Sequence, residues 1–424
     1  MRANSRKRNY LWGARVLCLA AMLLVAGCGK DEIPMEDHVR SNPSTGGMNS
    51  IMKSDTGYYY CAANRRPLNL HYFDIESGQN IFLCSKPECR HDGDAFCTAT
   101  SEKYTVRGAC YYGGSLYINA VEETDNEYLC KLLRVSQDGT ELEEVVTYQT
   151  INKTSLWVSD PEPMLIHRGV AVIPYLLKSH TEDIFINGIC FYDLITGEQN
   201  LLPEYKLEGT GNGFKGYGRL SACGDYVYYT VQPERKYSLH RYSLTNKTEE
   251  TIDLENRFTG MYEVIDENTL YFYWSGSNLF EYHIAEKETI THSKFFENMV
   301  IKGSAGATSS WDMMTDGTYL FLGEGVHFRR LDTGFLGTLV SDDGTELDVP
   351  SYVHVYDREL NKVATVEIAT ENYMEGSVRF AISMLDGIVY LKTQQKVFRC
   401  TLEEFLANEI PPFQPLYDHL DIEF

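Results

Sequence analysis

Cys84, Cys89, His91 and Cys97 gather three thiols and an imidazole within fourteen residues, in the order C-x4-C-x-H-x5-C. Thiolate sulfur and imidazole nitrogen are the donors of tetrahedral zinc sites, and a short loop can close such a set. The spacing matches no standard finger or knuckle. A disulfide, Cys84 with Cys89 or with Cys97, fits the same residues, with His91 outside the pair, and so do plain thiols. Each of these readings is structural first, because a closed Cys3His set leaves no coordination position for a substrate. Structural zinc is the one cofactor the sequence suggests. Nine cysteines remain once Cys18 and Cys28 are set aside. Cys61, Cys110, Cys130, Cys190, Cys223 and Cys400 fall on or beside apolar stretches, where they read as small buried hydrophobes.

Other chemistry is hard to find. The chain holds no Gly-x-Ser-x-Gly and no His-Glu-x-x-His. Gly209-x-Gly211-x-Gly213 lacks the following helix that a phosphate cradle needs, and reads as a loop between repeats. With 60 acidic residues, no single carboxylate pair stands out as a glycosidase acid and base. The ligand-binding candidates are His327, Arg329 and Arg330 on the long insertion Gly323–Ser351, with Trp311 at the end of the loop that leads into the same repeat. The two arginines are a rare basic spot on an acidic chain, suited to a carboxylate, sulfate or phosphate. Trp157 and Trp274 also fall in or near loops.

These residues need a scaffold, and a repeated phrase supplies one. Phe191-Tyr192-Asp193 has counterparts around Phe73, Val135, Tyr242, Tyr282, Tyr356 and Cys400, about 40 to about 74 residues apart. A Tyr- and Val-rich strand precedes each, such as Tyr58-Tyr59-Tyr60 or Tyr226-Val227-Tyr228-Tyr229. β-Branched and aromatic residues suit a pleated, half-buried surface. Asp138-Gly139, Asp316-Gly317, Asp343-Gly344 and Asp386-Gly387 supply turns. One such unit cannot cover both faces of its own sheet, whereas radial packing of several can. The expected fold is an all-β propeller, seven-bladed by this count with six or eight as alternatives. The recurring phrase is expected as the second strand of each unit.

The ends have their own signals. Arg2, Arg6, Lys7 and Arg8 precede the apolar run Leu17–Ala26, too short to span a bilayer and typical of an export signal. Leu24-Val25-Ala26-Gly27-Cys28 resembles a bacterial lipobox, which implies cleavage after residue 27 and a lipid on Cys28. Residues 28–55 then read as a flexible tether and 56–424 as the propeller. Without residues 1–27 the chain keeps 33 of its 38 basic residues against 60 acidic ones. Such a surface argues against nucleic acid and against electrostatic attraction to anionic lipid. At the other end, Thr401 and Glu404 have capping-box spacing and predict a short helix, stopped by Pro411-Pro412. Phe413, Leu416, Tyr417, Leu420 and Ile422 make the tail too apolar to hang free, so it is expected to pack where the first and last blades meet.

Lipobox, tether, Cys-rich loop and Tyr-rich repeats together resemble lipid-anchored β-propeller lipoproteins of Gram-positive gut bacteria, and the blade pattern is similar to Tol-associated propellers. The resemblance covers the mature chain and implies fold and location, with no activity to carry over. The functional expectation is a non-catalytic binding, sensing or interaction scaffold on the extracytoplasmic face of the cell membrane. Its ligand would be a carbohydrate, a peptide or an envelope protein. The alternative is a glycan- or peptide-active enzyme with carboxylates gathered at the propeller channel.

Overall fold

In the computed structural model, the described residues are 37, 51–61, 68–93, 97–158, 164–180, 184–208, 217–231, 237–254, 258, 261–273, 278–297, 312–324, 351–368, 380–393 and 397–416. They form seven antiparallel sheets in chain order. Blade 1 contains Ile51–Lys53, Gly57–Cys61, Leu68–Asp74 and Asn80–Phe82, and blade 2 contains Tyr104–Tyr112, Ser115–Glu123, Glu127–Ser136 and Leu142–Asn152. Blades 3 to 7 span 156–208, 217–252, 262–292, 312–368 and 380–415. The chain is a seven-bladed β-propeller.

The recurring phrase forms the third strand of every blade, not the second, and the Tyr/Val-rich strand before it forms the second. The difference arises because a further strand, such as Ile51–Lys53 in blade 1, opens each unit. The register is the same throughout. Phe73 faces Tyr58, Val135 faces Leu116, Tyr192 faces Ala171 and Tyr242 faces Val227. Tyr282, Tyr356 and Cys400 likewise face Leu270, Leu320 and Val389.

Second strands are covered on both faces, so their side chains are buried without alternation; Tyr58, Tyr59, Tyr60 and Cys61 are all buried. The fourth strands face solvent, and Thr248–Ile252 buries only its last residue. Apolar clusters lie between neighbouring blades. Leu165 and Val172 of blade 3 pack with Val227 and Tyr229 of blade 4, and Phe321 and Val353 of blade 6 with Ile382 and Val389 of blade 7. The first strands of several neighbouring blades approach one another, which places them around the axis.

Among the described residues each blade is one continuous piece of chain, and no exchanged strand closes the ring. The helix Leu402–Ala407 has the predicted capping box, with the Thr401 hydroxyl accepting from the Glu404 amide and the Glu404 carboxylate accepting from the Thr401 amide. Its Phe405 is buried between blades 6 and 7. The chain then turns back, and Gln414–Pro415 pairs with Phe398–Arg399 as the outer strand of blade 7. Leu416 joins Tyr58, Tyr60, Leu385, Tyr390 and Val397 at the junction of first and last blades, as expected of the tail, whereas Phe413 packs between blades 6 and 7 and Tyr417, Leu420 and Ile422 lie outside the described residues. Among the described residues, no helix is long and apolar enough to cross a membrane.

Candidate metal centre

The Cys-rich segment interrupts the outer strand of blade 1. Asn80–Phe82 pairs with the upper part of the third strand, and Thr100–Ser101 resumes the pairing further along, opposite Leu68 and Asn69. Between them the chain makes an excursion whose two ends meet at one residue: the Leu83 amide donates to the Leu70 carbonyl (2.9 Å), and the Leu70 amide donates to the Ala99 carbonyl (2.8 Å). Leu83, Cys97 and Ala99 are buried in the apolar cluster between blades 1 and 2.

Blade 2 receives the excursion at its Asp138-Gly139 turn. The Ser85 amide donates to the Gly139 carbonyl (3.3 Å), and the buried Thr98 hydroxyl donates to the carbonyls of Gly139 (2.7 Å) and Leu83 (3.1 Å). Gly139 has φ +68°, and a Cβ there would stand 2.6 Å from the Leu83 carbonyl carbon and oxygen. A left-handed conformation and this close approach both require glycine.

These anchors bring Cys84, Cys89, His91 and Cys97 together, with one donor atom from each lying within 4.8 Å of all the others. Metal bonds of about 2.0–2.3 Å would draw a tetrahedral set of such donors slightly closer. Cys97 is buried and the other three are half-buried. The Cys97 sulfur lies 3.6 Å from His91 Nδ1 and accepts from the Thr100 amide at 3.3 Å. His91, at φ 55°, stacks on Phe82 with ring centroids 4.6 Å apart. Phe82 rests on His71 (4.5 Å) and His71 on Tyr60 (5.1 Å), a ladder of rings that orients the His91 imidazole. Burial, together with the nearby His91, lowers the His71 pKa and keeps that ring neutral.

Of these thiols, Cys84 is the one set to hold negative charge. Burial opposes ionisation of Cys84, yet the Thr98 side chain and amide, the Lys86 amide and the Cys89 thiol pull its pKa down to about 6. The His91 amide acts in the same direction on Cys89, but burial and the sulfurs of Cys97 and Cys84 outweigh it and push Cys89 up to about 11. One thiolate forms readily; a second beside it needs a cation. The donor set, its N–H···S bonds and this charge imbalance all fit a bound metal ion.

None of the nine described cysteines is in a disulfide. The six strand cysteines are buried, and burial raises Cys61 to about 11 and Cys130, Cys190 and Cys400 to about 12. Cys28, Trp311, His327, Arg329, Arg330, Trp274 and the glycine-rich loop lie outside the described residues, as does the side chain of Trp157.

Sequence reading missed a charged group on the inner strands. Arg219 of blade 4 ion-pairs with Glu263 of blade 5, lies 4.0 Å from Asp312 of blade 6 and donates to the Met313 carbonyl (3.0 Å). Its φ is 34°, at a bulge between Gly218 and Ser221 that turns the side chain across the neighbouring blades. Residues from three blades leave no local signal; the bulge itself is marked only by Gly218. A second polar group is the fully buried pair of His354 and Glu324 in blade 6, 2.8 Å apart.

No protein-family model and no curated protein matches the sequence. Solved structures similar to it include a prolyl endopeptidase at 12% identity, covering 89% of this chain and 50% of that one, with a TM-score of 0.48. BamB from Moraxella catarrhalis matches at 9% identity over 84% of this chain and 82% of that one, TM-score 0.40. TolB from Acinetobacter baumannii matches at 13% over 83% and 75%, TM-score 0.32. The chain spans half the length of the prolyl endopeptidase. At such identities the likeness concerns the fold alone, and the blade count rests on the strand pairing.

Proposed function

We propose that this propeller is a metal-braced binding or interaction scaffold, held at the extracytoplasmic face of the cell membrane by a lipid on Cys28. The observation that carries the scaffold reading is the set of Cys84, Cys89, His91 and Cys97. Among the described residues it is the one group of three or more His, Cys, Asp or Glu side chains whose donors converge for a metal. It supplies four donors and leaves no position open, and it lies within an excursion of blade 1 that Ser85 and Thr98 hydrogen-bond to the Gly139 turn of blade 2. Three thiolates and an imidazole favour zinc over the hard oxygen-seeking cations, and zinc held in this way supplies stability, not catalysis. Anchoring is supported by the charge, apolar run and lipobox-like end of residues 1–28.

The ligand surface is proposed on the long insertion of blade 6, which leaves the second strand at Glu324 and returns to the third at Ser351. Trp311, His327, Arg329 and Arg330 would contact a carbohydrate, peptide or envelope protein there. An enzymatic reading has one observation in its favour, the meeting of Glu263 and Asp312 near the axis. Arg219 between them neutralises part of that charge, which favours a structural lock over an acid and base pair.

Elemental analysis of the purified full chain tests the brace, with one zinc per chain expected and a metal-free protein contradicting it. A thermal-shift panel of glycans and peptides, followed by product analysis, tests the scaffold. A ligand that raises the melting temperature without being turned over supports binding. Turnover abolished by Glu263→Gln supports the enzyme.

A further inference from the structure

A two-residue turn joins the first and second strands of blade 3 and consists of Arg168 (φ 48°) and Gly169 (φ 75°). Both positions are left-handed, the mirror-image hairpin geometry in which Asn, Asp or Gly normally comes first. Arginine is a strained choice there, and its placement calls for a reason. The turn is also held firmly. The Gly169 amide donates to the Tyr112 hydroxyl of blade 2 (2.9 Å), and its carbonyl accepts from the Leu194 amide (2.9 Å). His167, fully buried, sits with Nε2 2.7 Å from the Gly224 carbonyl in the corresponding turn of blade 4.

What Arg168 holds is Asp37, far upstream of blade 1. Arg168 Nε donates to Asp37 Oδ1 at 2.5 Å, and the Gly224 amide donates to the same carboxylate. Asp225 and Glu267 also face the guanidinium, so it has other acidic neighbours, yet its hydrogen bond goes to Asp37. Gly224 is left-handed at φ +57°, and a Cβ there would collide with the Glu267 carboxylate, so the donor amide is fixed in place. By contact, Asp37 belongs to the same unit as the blades.

We propose that Arg168 and the Gly224 amide form a carboxylate-binding notch that latches the N-terminal segment, at Asp37, onto the turn end of blades 3 and 4. Asp37 lies nine positions beyond Cys28, and a fully extended chain of that length spans at most about 30 Å. A lipid on Cys28 therefore keeps this end of the propeller next to the bilayer. The opposite end, where the insertion of blade 6 begins and returns, is left open to ligands. The orientation rests on the lipid-anchor reading of the preceding section; the latch does not.

Limited trypsin digestion of the full chain tests the latch, because Lys30 and Arg40 bracket Asp37. Arg168→Gly removes the guanidinium while giving the turn a residue it favours, and Asp37→Asn removes the charge. Each variant is expected to be cut at Lys30 and Arg40 several-fold faster than the parent, and the double variant no faster than either. Equal rates in parent and Arg168→Gly overturn the latch.

Energy transfer to headgroup-labelled lipid tests the orientation, with a fluorescent amino acid at exposed Ile195, in a turn at the latched end, or at exposed Asp125, at the other end. Stronger transfer from position 195, reduced by Arg168→Gly, is the expected result. Equal or stronger transfer from position 125 overturns the orientation. A chain whose mass shows no lipid overturns the anchoring and the orientation with it, and leaves the latch to the trypsin result.

Discussion

Blade 1 meets its two neighbours through the same strand in two different ways. In Gly57–Cys61, alternate side chains point to opposite faces. Tyr59 and Cys61 enter the cluster shared with blade 2, whereas Tyr58 and Tyr60 enter the one shared with blade 7. Toward blade 2 the contact is local in sequence, broad, and reinforced by the excursion that carries the three thiols and His91. Toward blade 7 it joins residues more than 300 positions apart: the Tyr58 and Tyr390 hydroxyls hydrogen-bond at 2.9 Å, and Lys53 pairs with Asp386 at 2.7 Å. Closing so long a loop carries an entropic cost that the local interface avoids. If the proposed metal holds the excursion in shape, blades 1 and 2 would behave as one unit, and the junction of blades 7 and 1 would be the seam at which the ring opens first.

The largest expected effect is in blade 7, where Leu416 faces the seam and Phe413 faces blade 6. Removing residues 408–424 deletes the outer strand of blade 7 and the buried Phe413 and Leu416. At about 1.5–3 kcal/mol per buried large side chain, this amounts to roughly 3–6 kcal/mol. A drop of several degrees in melting temperature is expected, and an unchanged value would contradict the assigned role of the tail. On the other side of blade 1, removing the metal by chelation, or by Cys97→Ser, is expected to cost about 3–4 kcal/mol, the linkage value for an ion present far above its dissociation constant. Equilibrium denaturation with and without chelator measures it, and the Cys97→Ser protein should no longer respond to chelator.

Two smaller changes sharpen the contrast. Gly139→Ala forces a side chain into a left-handed turn against the Leu83 carbonyl and should destabilise by about 1–3 kcal/mol while weakening metal retention. The same loss of stability with metal retention intact would detach that turn from the metal centre. Tyr58→Phe removes one hydroxyl from the seam and should cost about 1 kcal/mol with no effect on metal content. Elemental analysis alongside denaturation separates the two sides.

Much of the fold was legible because the second and third strands carry both the aromatic repeat and the fixed register. Phe73, Tyr242 and Cys400 differ in chemistry yet occupy one structural position. First and fourth strands were harder to read, since solvent-facing segments such as Thr248–Ile252 have little apolar pattern, and blade 1 splits its outer strand around the excursion. The metal donors stood out by type and spacing. Their supports did not: Thr98 and Gly139 look like an ordinary loop residue and an ordinary turn, and only the packing of blade 2 against blade 1 gives them a role. Arg219, Glu263 and Asp312 were hidden for the same reason, each coming from a different blade.

Amide hydrogen exchange with and without chelator tests the brace most directly. Metal removal is expected to speed exchange selectively at Leu70, Leu83 and Thr100, whose amides donate to Ala99, to Leu70 and to the Cys97 sulfur. The Leu416 amide, donating to Val397 at the seam (2.7 Å), should keep its protection. Unchanged exchange at all four amides, or equal acceleration at all four, would contradict a metal centre that braces blade 1 to blade 2.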